Sequence, residues 1–177
     1  MTMVTIDRAT PEDVAVISEI LGEIEAYYGG EAVPGSADQI TAALFGEHPV
    51  ATVLLAREAS EVLGLASFSF LWPAAGADTS LYLKELYVRE PARRRGIAGL
   101  FMAALKDAAS AAGCSRIEWT ADGDNPPALA FYEAYGAEPH GGKVFYRVES
   151  DTAHIAQHGH AGYTTPWTAE LARPILP

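Results

Sequence analysis

Three adjacent arginines, Arg93-Arg94-Arg95, run into Gly96-Ile97-Ala98-Gly99 directly after the strand-like segment Leu81-Tyr82-Leu83-Lys84-Glu85-Leu86-Tyr87-Val88. An apolar stretch of helical period begins at Leu100. A β-rich run, a basic glycine turn and then a helix leave unpaired backbone N–H groups at the helix N-terminus, where the dipole and nearby guanidinium groups favour an anion. Gly96 and Gly99 let the main chain approach a phosphate closely, and Gly96 can take a positive φ without strain. Three arginines in a row can also be no more than a solvated turn. In a chain of net charge −11, however, so dense a basic cluster calls for an anionic partner.

The elements that must position this turn are legible on both sides of it. Thr5 to Arg8 reads as a first strand, and Thr10-Pro11-Glu12-Asp13 as a helix start with a capping-box pattern. Val14, Ile17, Ile20, Leu21 and Ile24 recur at helical spacing up to Tyr27-Tyr28, where Gly29-Gly30 stops the helix. A second helix is expected from Ser36 or Ala37 to Phe45, and paired strands over Pro49–Arg57 and Glu61–Trp72. The central strand is Ser80 to Val88. The helix after the basic turn runs from Gly96 to about Ala112, with Leu100, Phe101, Ala104, Leu105 and Ala108 as its buried stripe. A fifth strand over Arg116–Thr120, a helix from Asn125-Pro126 to Tyr135 and a last strand over Lys143–Val148 complete the order. The fold class is mixed α/β, with strands and helices sharing one core.

Composition bounds the function. With 177 residues, 49% of them hydrophobic, the chain is the size of one domain with a proper core. No stretch approaches the ~20 apolar residues that span a bilayer, and the N-terminus lacks the basic start and apolar core of a signal peptide. One cysteine, Cys114, excludes an internal disulfide and makes the cytoplasm the default location. Twelve basic against 23 acidic residues argues against a nucleic-acid partner and suits a cationic substrate such as an amine.

The spacing Arg-x-x-Gly-x-Ala (Arg93, Gly96, Ala98) resembles the pyrophosphate-binding signature of the GNAT superfamily of acyl-CoA-dependent N-acyltransferases, and the element order from Thr5 to Val148 is similar to that fold. Gly46-Glu47-His48-Pro49, Leu81-Tyr82-Leu83 and Asn125-Pro126-Pro127-Ala128-Leu129-Ala130-Phe131-Tyr132 resemble the diamine (spermidine/spermine) acetyltransferase branch and its thialysine-acetylating relatives. The resemblance implies a mixed sheet splayed at the central strand and flanked by helices, acetyl-CoA as cosubstrate and a homodimer. It divides the chain into a GNAT domain over 1–148 and a C-terminal extension over 149–177.

The resemblance also implies roles. The backbone N–H groups of Leu86, Tyr87 and Val88 hold the pantetheine arm like an added strand, and one donates to the thioester oxygen. Arg93, Arg94, Arg95, Gly96, Ile97, Ala98 and Gly99 surround the pyrophosphate. Asn125 and Ala128 contact the arm, although Asn125 also reads as a helix cap before Pro126. Tyr132 is the general acid that protonates the departing thiolate. A phenol of pKa ~10 is protonated at neutral pH and can donate to a thiolate whose acid has pKa ~8.5. Glu85 matches an acidic position of the branch and either binds the ammonium, relays its proton through water, or does both; as a plain strand carboxylate it would pair with Arg or Lys. Tyr27, Tyr28, Glu118, Trp119 and Thr120 match substrate-contacting positions. The position before Glu85 is acidic in the polyamine enzymes and is Lys84 here, and strand alternation is expected to send the two side chains to opposite faces.

Beyond the fold, His154, His158 and His160 suggest a metal site only weakly. Without a Cys or acidic set beside them they read as exposed histidines of a polar tail, so no metal is expected. The sequence thus points to an acetyl-CoA-dependent N-acetyltransferase of a small cationic amine, polyamine or lysine-like. The alternatives are an acetyltransferase of an amino acid, antibiotic or protein lysine, and a non-catalytic CoA-binding sensor.

Overall fold

The computed structural model describes residues 3–148. The expected extension over 149–177, with its three histidines, lies outside the described residues. Five strands and four helices follow in the order β1 (Thr5–Arg8), α1 (Val14–Tyr27), α2 (Ala37–Phe45), β2 (Thr52–Glu58), β3 (Glu61–Leu71), β4 (Ser80–Val88), α3 (Ile97–Ala111), β5 (Arg116–Trp119) and α4 (Pro126–Tyr135). Residues up to Phe131 form one compact unit, and a second begins at Tyr132.

The sheet order is β1-β2-β3-β4-β5, antiparallel throughout except for the parallel pair β4–β5. That parallel pair requires a crossover, which α3 supplies by packing on β4 and β5. The helices α1 and α2 build a core from Ile17, Ile20, Ile24 and Ile40 with Val53, Leu55, Val62 and Leu65 of the sheet, and Tyr87 packs against its edge. Ser36 caps α2 by accepting from Gln39 N–H at 3.4 Å.

Two expectations are corrected. The stripe of α3 is Ile97, Phe101, Met102, Leu105 and Ala109, while Leu100 is exposed. Spacing of four residues from Ile97 sets this face, and Leu100 falls about a sixth of a turn outside it. Lys143–Val148 is not a strand: the segment is irregular, and Val144, Phe145, Tyr146 and Val148 are exposed. β-branched and aromatic residues make a strand only where a neighbour takes up their backbone groups, and among the described residues the sheet ends at β5.

The start of α1 is fastened by Asp13, which is buried. Its carboxylate accepts from Thr10 N–H at 2.8 Å and from the Arg57 guanidinium of β2 at 2.7 Å. Burial alone would raise the Asp13 pKa, but the Arg57 hydrogen bond and charge and the Thr10 donors outweigh it and hold the carboxyl below its ordinary value. The stabilisation that follows is complete at neutral pH and is lost as pH falls through that lowered value. Asp13→Ala is expected to reduce unfolding free energy by about 2–3 kcal/mol at pH 7, in line with charged hydrogen bonds. Urea titration at several pH values checks this: the gap to wild type should close in acid, and equal midpoints at pH 7 would remove Asp13 from the account.

Candidate active site

The parallel pairing of β4 with β5 covers only Ser80↔Arg116 to Leu83↔Trp119. At the next residue β4 bulges. Ser67 of β3 faces Glu85 and Phe68 faces Leu83, so Lys84 is the extra residue. β4 then continues along β3 as far as Val88, opposite Gly64, while its other edge has lost its strand neighbour. Arg89 N–H donates to Leu63 C=O at 2.9 Å, which sets the alternation: Tyr87 and Arg89 turn their backbone groups to β3, and Leu86 and Val88 turn theirs to the open edge. The Tyr87 N–H, expected among the exposed donors, thus faces β3. Gly64 is a packing requirement here, because a Cβ at that position would run into the Tyr87 carbonyl oxygen.

Beyond β4 the basic turn takes its shape from two positive φ values, 64° at Arg94 and 79° at Gly96. Such a value is uncommon for a non-glycine residue such as Arg94. The helix α3 starts at Ile97, and Leu100 N–H is the first to bond back, to Gly96 C=O at 3.2 Å. The N–H groups of Ile97, Ala98 and Gly99 have no acceptor within the helix and remain for an anion. The three arginines differ in employment. Arg95 pairs with Glu58 at 2.7 Å. Arg93 donates from Nε to Val88 C=O at 3.0 Å and lies 5.3 Å and 5.6 Å from the ring centroids of Tyr27 and Tyr87. Arg94 is exposed and makes no ion pair among the described residues, so it is the one whose guanidinium is at liberty for a phosphate. A main-chain cradle plus a free arginine fits the pyrophosphate of acetyl-CoA.

The start of α4 is tied to the end of α1. The Asn125 side-chain oxygen accepts from Ala128 N–H at 3.3 Å and from the Tyr27 hydroxyl at 3.4 Å, so Asn125 caps α4 and also holds the end of α1. Tyr132 is on α4, half-buried, and its carbonyl accepts from Ala137 N–H at 3.0 Å.

Glu85 is half-buried on β4, two residues before Tyr87 and hence on the face toward α1. Burial raises its pKa; Lys84 partly opposes this, and the charges of Asp122 and Glu25 add to it. Lys84 is exposed, but as the extra residue of the bulge it stands outside the regular alternation expected of this strand, and its charge still reaches Glu85. The Tyr28 hydroxyl is likewise raised, first by burial and then by Glu85, Asp122 and Tyr27. Glu25, Tyr28, Glu85 and Asp122 therefore share one electrostatic neighbourhood. Asp122 and Glu25 were not singled out from the sequence. Each stands three residues before a residue that was (Asn125 and Tyr28), and Glu25 shares a helix face with Tyr28.

The expected substrate positions on β5 are less uniform. Glu118 pairs with Arg116 at 3.2 Å, the Thr120 and Tyr82 hydroxyls lie 3.3 Å apart, and Trp119 is half-buried opposite Leu83. Among the described residues the structure thus gathers Tyr27, Tyr28, Glu85 and Asn125 around the open edge, and it leaves Glu118 occupied by its strand neighbour.

Comparison with known proteins agrees with this geometry. The family model described as acetyltransferase (GNAT) family matches residues 18–137. L-ornithine N5-acetyltransferase from Arabidopsis thaliana is 34% identical over 77 residues, a match that covers 44% of this chain and 34% of that protein. An uncharacterized N-acetyltransferase from Bacillus subtilis is 25% identical over 141 residues, covering 80% of this chain and 94% of that one. Among solved structures, an integron cassette protein from the mobile metagenome of V. cholerae superposes with a TM-score of 0.75 at 31% identity, covering 89% of this chain and 98% of that one.

The Glu85 carboxyl is expected to titrate above the ordinary carboxylate range, because both burial and its acidic neighbours disfavour the charged form. Carbon-detected NMR titration reads this directly. Asp122→Asn should move the midpoint back down; a midpoint indifferent to Asp122 would separate the two carboxylates.

Proposed function

Since the chain belongs to the acetyltransferase (GNAT) family of acyl-CoA-dependent N-acetyltransferases, whose cosubstrate is acetyl-CoA, we propose that it acetylates a primary amine of a small cationic molecule, polyamine or lysine-like, by direct attack in a ternary complex. The observation that carries this reading is the acidic neighbourhood of Glu85, Asp122 and Glu25 with Tyr28, beside the open edge of β4. The 34% identity to an L-ornithine N5-acetyltransferase supports an acceptor that bears a second amine, although the chain spans only about a third of that relative's length.

Acetyl-CoA brings an acyl group that is already activated as a thioester, so the protein has to orient, polarise and manage protons. The N–H groups of Ile97, Ala98 and Gly99 with Arg94 take the pyrophosphate. The backbone of Leu86 and Val88 takes the pantetheine arm. A preorganised N–H aimed at the developing oxyanion contributes about 3–4 kcal/mol in such transfers. An alkylammonium of pKa ~10.4 must lose its proton before it attacks. Glu85 binds that ammonium and accepts its proton directly or through water, and a raised pKa makes it a better base. Tyr132 donates to the leaving thiolate. Tyr27, Trp119 and Thr120 shape the acceptor side, and a homodimer in the cytoplasm is the expected state.

Purified protein with acetyl-CoA and a panel of spermidine, spermine, putrescine, lysine, ornithine, thialysine and an aminoglycoside tests this through release of free CoA thiol. Turnover of a diamine or diamino acid is expected. Silence on every amine with CoA still binding would favour a larger acceptor or a sensor. Tyr132→Phe should slow turnover by roughly 10²–10⁴-fold, the usual scale of a general acid, with CoA affinity retained. Full activity in that variant would take Tyr132 out of the mechanism.

A further inference from the structure

Arg93 stands where three parts of the site meet. Its backbone opens the basic turn, and its Nε–H occupies Val88 C=O, one of the acceptors on the open edge of β4. Its guanidinium lies against Tyr27 at the C-terminal end of α1 and against Tyr87 on β4, and these two rings meet edge-to-face with centroids 6.3 Å apart. Tyr27 in turn meets Tyr28 edge-to-face at 5.3 Å and donates to Asn125 at the start of α4. Tyr28 senses the charges of Glu85 and Asp122. A chain of contacts therefore joins the basic turn, through Tyr27, to Tyr28 and to Asn125, and Tyr28 lies within the field of Glu85.

This link is separate from the general anchoring of α1. Arg89 ties the middle of that helix to β4 through Glu23 at 2.9 Å and Glu19 at 3.3 Å, and it also donates to Val62 C=O at 3.2 Å. Arg89 does this whatever the basic turn holds. Arg93, by contrast, shares its carbonyl with the edge that an incoming pantetheine arm must use. A carbonyl oxygen has two lone pairs, so Val88 C=O can accept from the arm and from Arg93 together, and an arm N–H bonded there lies directly beside the guanidinium.

We propose that Arg93 is a positioning residue that carries cofactor occupancy to the acceptor side: when the open edge is filled, the guanidinium resets the Tyr27 ring and with it the end of α1. The inference rests on the acetyl-CoA reading of the edge and the turn, and goes beyond it in giving the first arginine of the turn a role toward the amine rather than toward phosphate. Lysine would not serve equally, because the contact uses an Nε–H, which lysine lacks, on a carbonyl while the guanidinium carbon stays within cation–π range of two aromatic rings.

CoA alone is the probe, so the acceptor need not be known. Backbone hydrogen exchange over Ile24–Gly30 is followed with and without saturating CoA, and binding is measured separately by calorimetry. In the wild-type protein CoA is expected to change exchange at Tyr27–Gly29 by at least about threefold, the scale of one cation–π contact. Arg93→Met should bind CoA and show no such change. Tyr27→Leu cuts the same link from the other end without touching the turn, and it should behave alike should Arg93→Met fail to fold. A response as large in the variants as in the wild type overturns the inference, as does a wild-type protein that binds CoA with no response in α1. CoA that does not bind the wild-type protein overturns the cofactor reading itself, and the inference with it.

Discussion

A strand that keeps one neighbour and loses the other is the constraint on which this structure turns. β4 is paired on both sides as far as Leu83, and after the extra residue at Lys84 it is paired with β3 alone. The open edge carries the backbone groups of Leu86 and the N–H of Val88, which water or a ligand must satisfy, while Arg93 already donates to Val88 C=O. The residues proposed to act are arranged about that edge. The basic turn follows it in the chain, Asn125 at the start of α4 accepts from Tyr27, and Glu85 sits just past the bulge. Gly64 keeps β3 close enough to hold the edge in place from behind, since any side chain there would meet the Tyr87 carbonyl.

Charge is distributed with the same economy. A net charge of −11 draws cations toward the molecule in general, but the local arrangement decides where they stop. Around Glu85 the charges of Asp122 and Glu25 add, and burial concentrates their effect. The basic turn, on the other hand, is less free than three consecutive arginines suggest. Glu58 holds Arg95, and Val88 with two tyrosine rings holds Arg93. In the proposed site, affinity for an anion at this turn thus falls mainly on main-chain N–H groups and on Arg94, whose left-handed backbone sets it apart from its neighbours. The arginines on either side serve to fix the shape of the loop.

Much of the fold was legible along the chain because local signals agreed with the tertiary ones. Strand β1, the start of α2 at Ala37, the limits of β4 and the end of α4 before Gly136 lie where the pattern of apolar residues and glycines puts them. The failures have a common cause. Lys143–Val148 has the composition of a strand and no partner among the described strands, and Leu100 is apolar yet lies off the buried face of its helix. Composition reports what a segment can do; whether a neighbour is there to accept it is a property of the fold.

The candidate site divides along the same line. Residue type and spacing were enough to single out the basic turn and the capping Asn125, because a glycine needed for a positive φ, a capping Asn and a strand ahead of a helix are all written within a few neighbouring residues, whereas Glu85 and the pair Tyr27–Tyr28 came from the family resemblance. No sequence pattern could tell that Arg93 would lie on Tyr27, 66 positions earlier in the chain, that Asp122 would raise the pKa of Glu85, or that Tyr87 would turn its N–H inward. Those relations depend on where β5 stops pairing and on how α1 crosses the sheet. Backbone conformation is a short-range matter that the chain itself dictates, whereas contacts between distant side chains, and the fields they impose on one another, exist only once the sheet has brought them within a few ångströms.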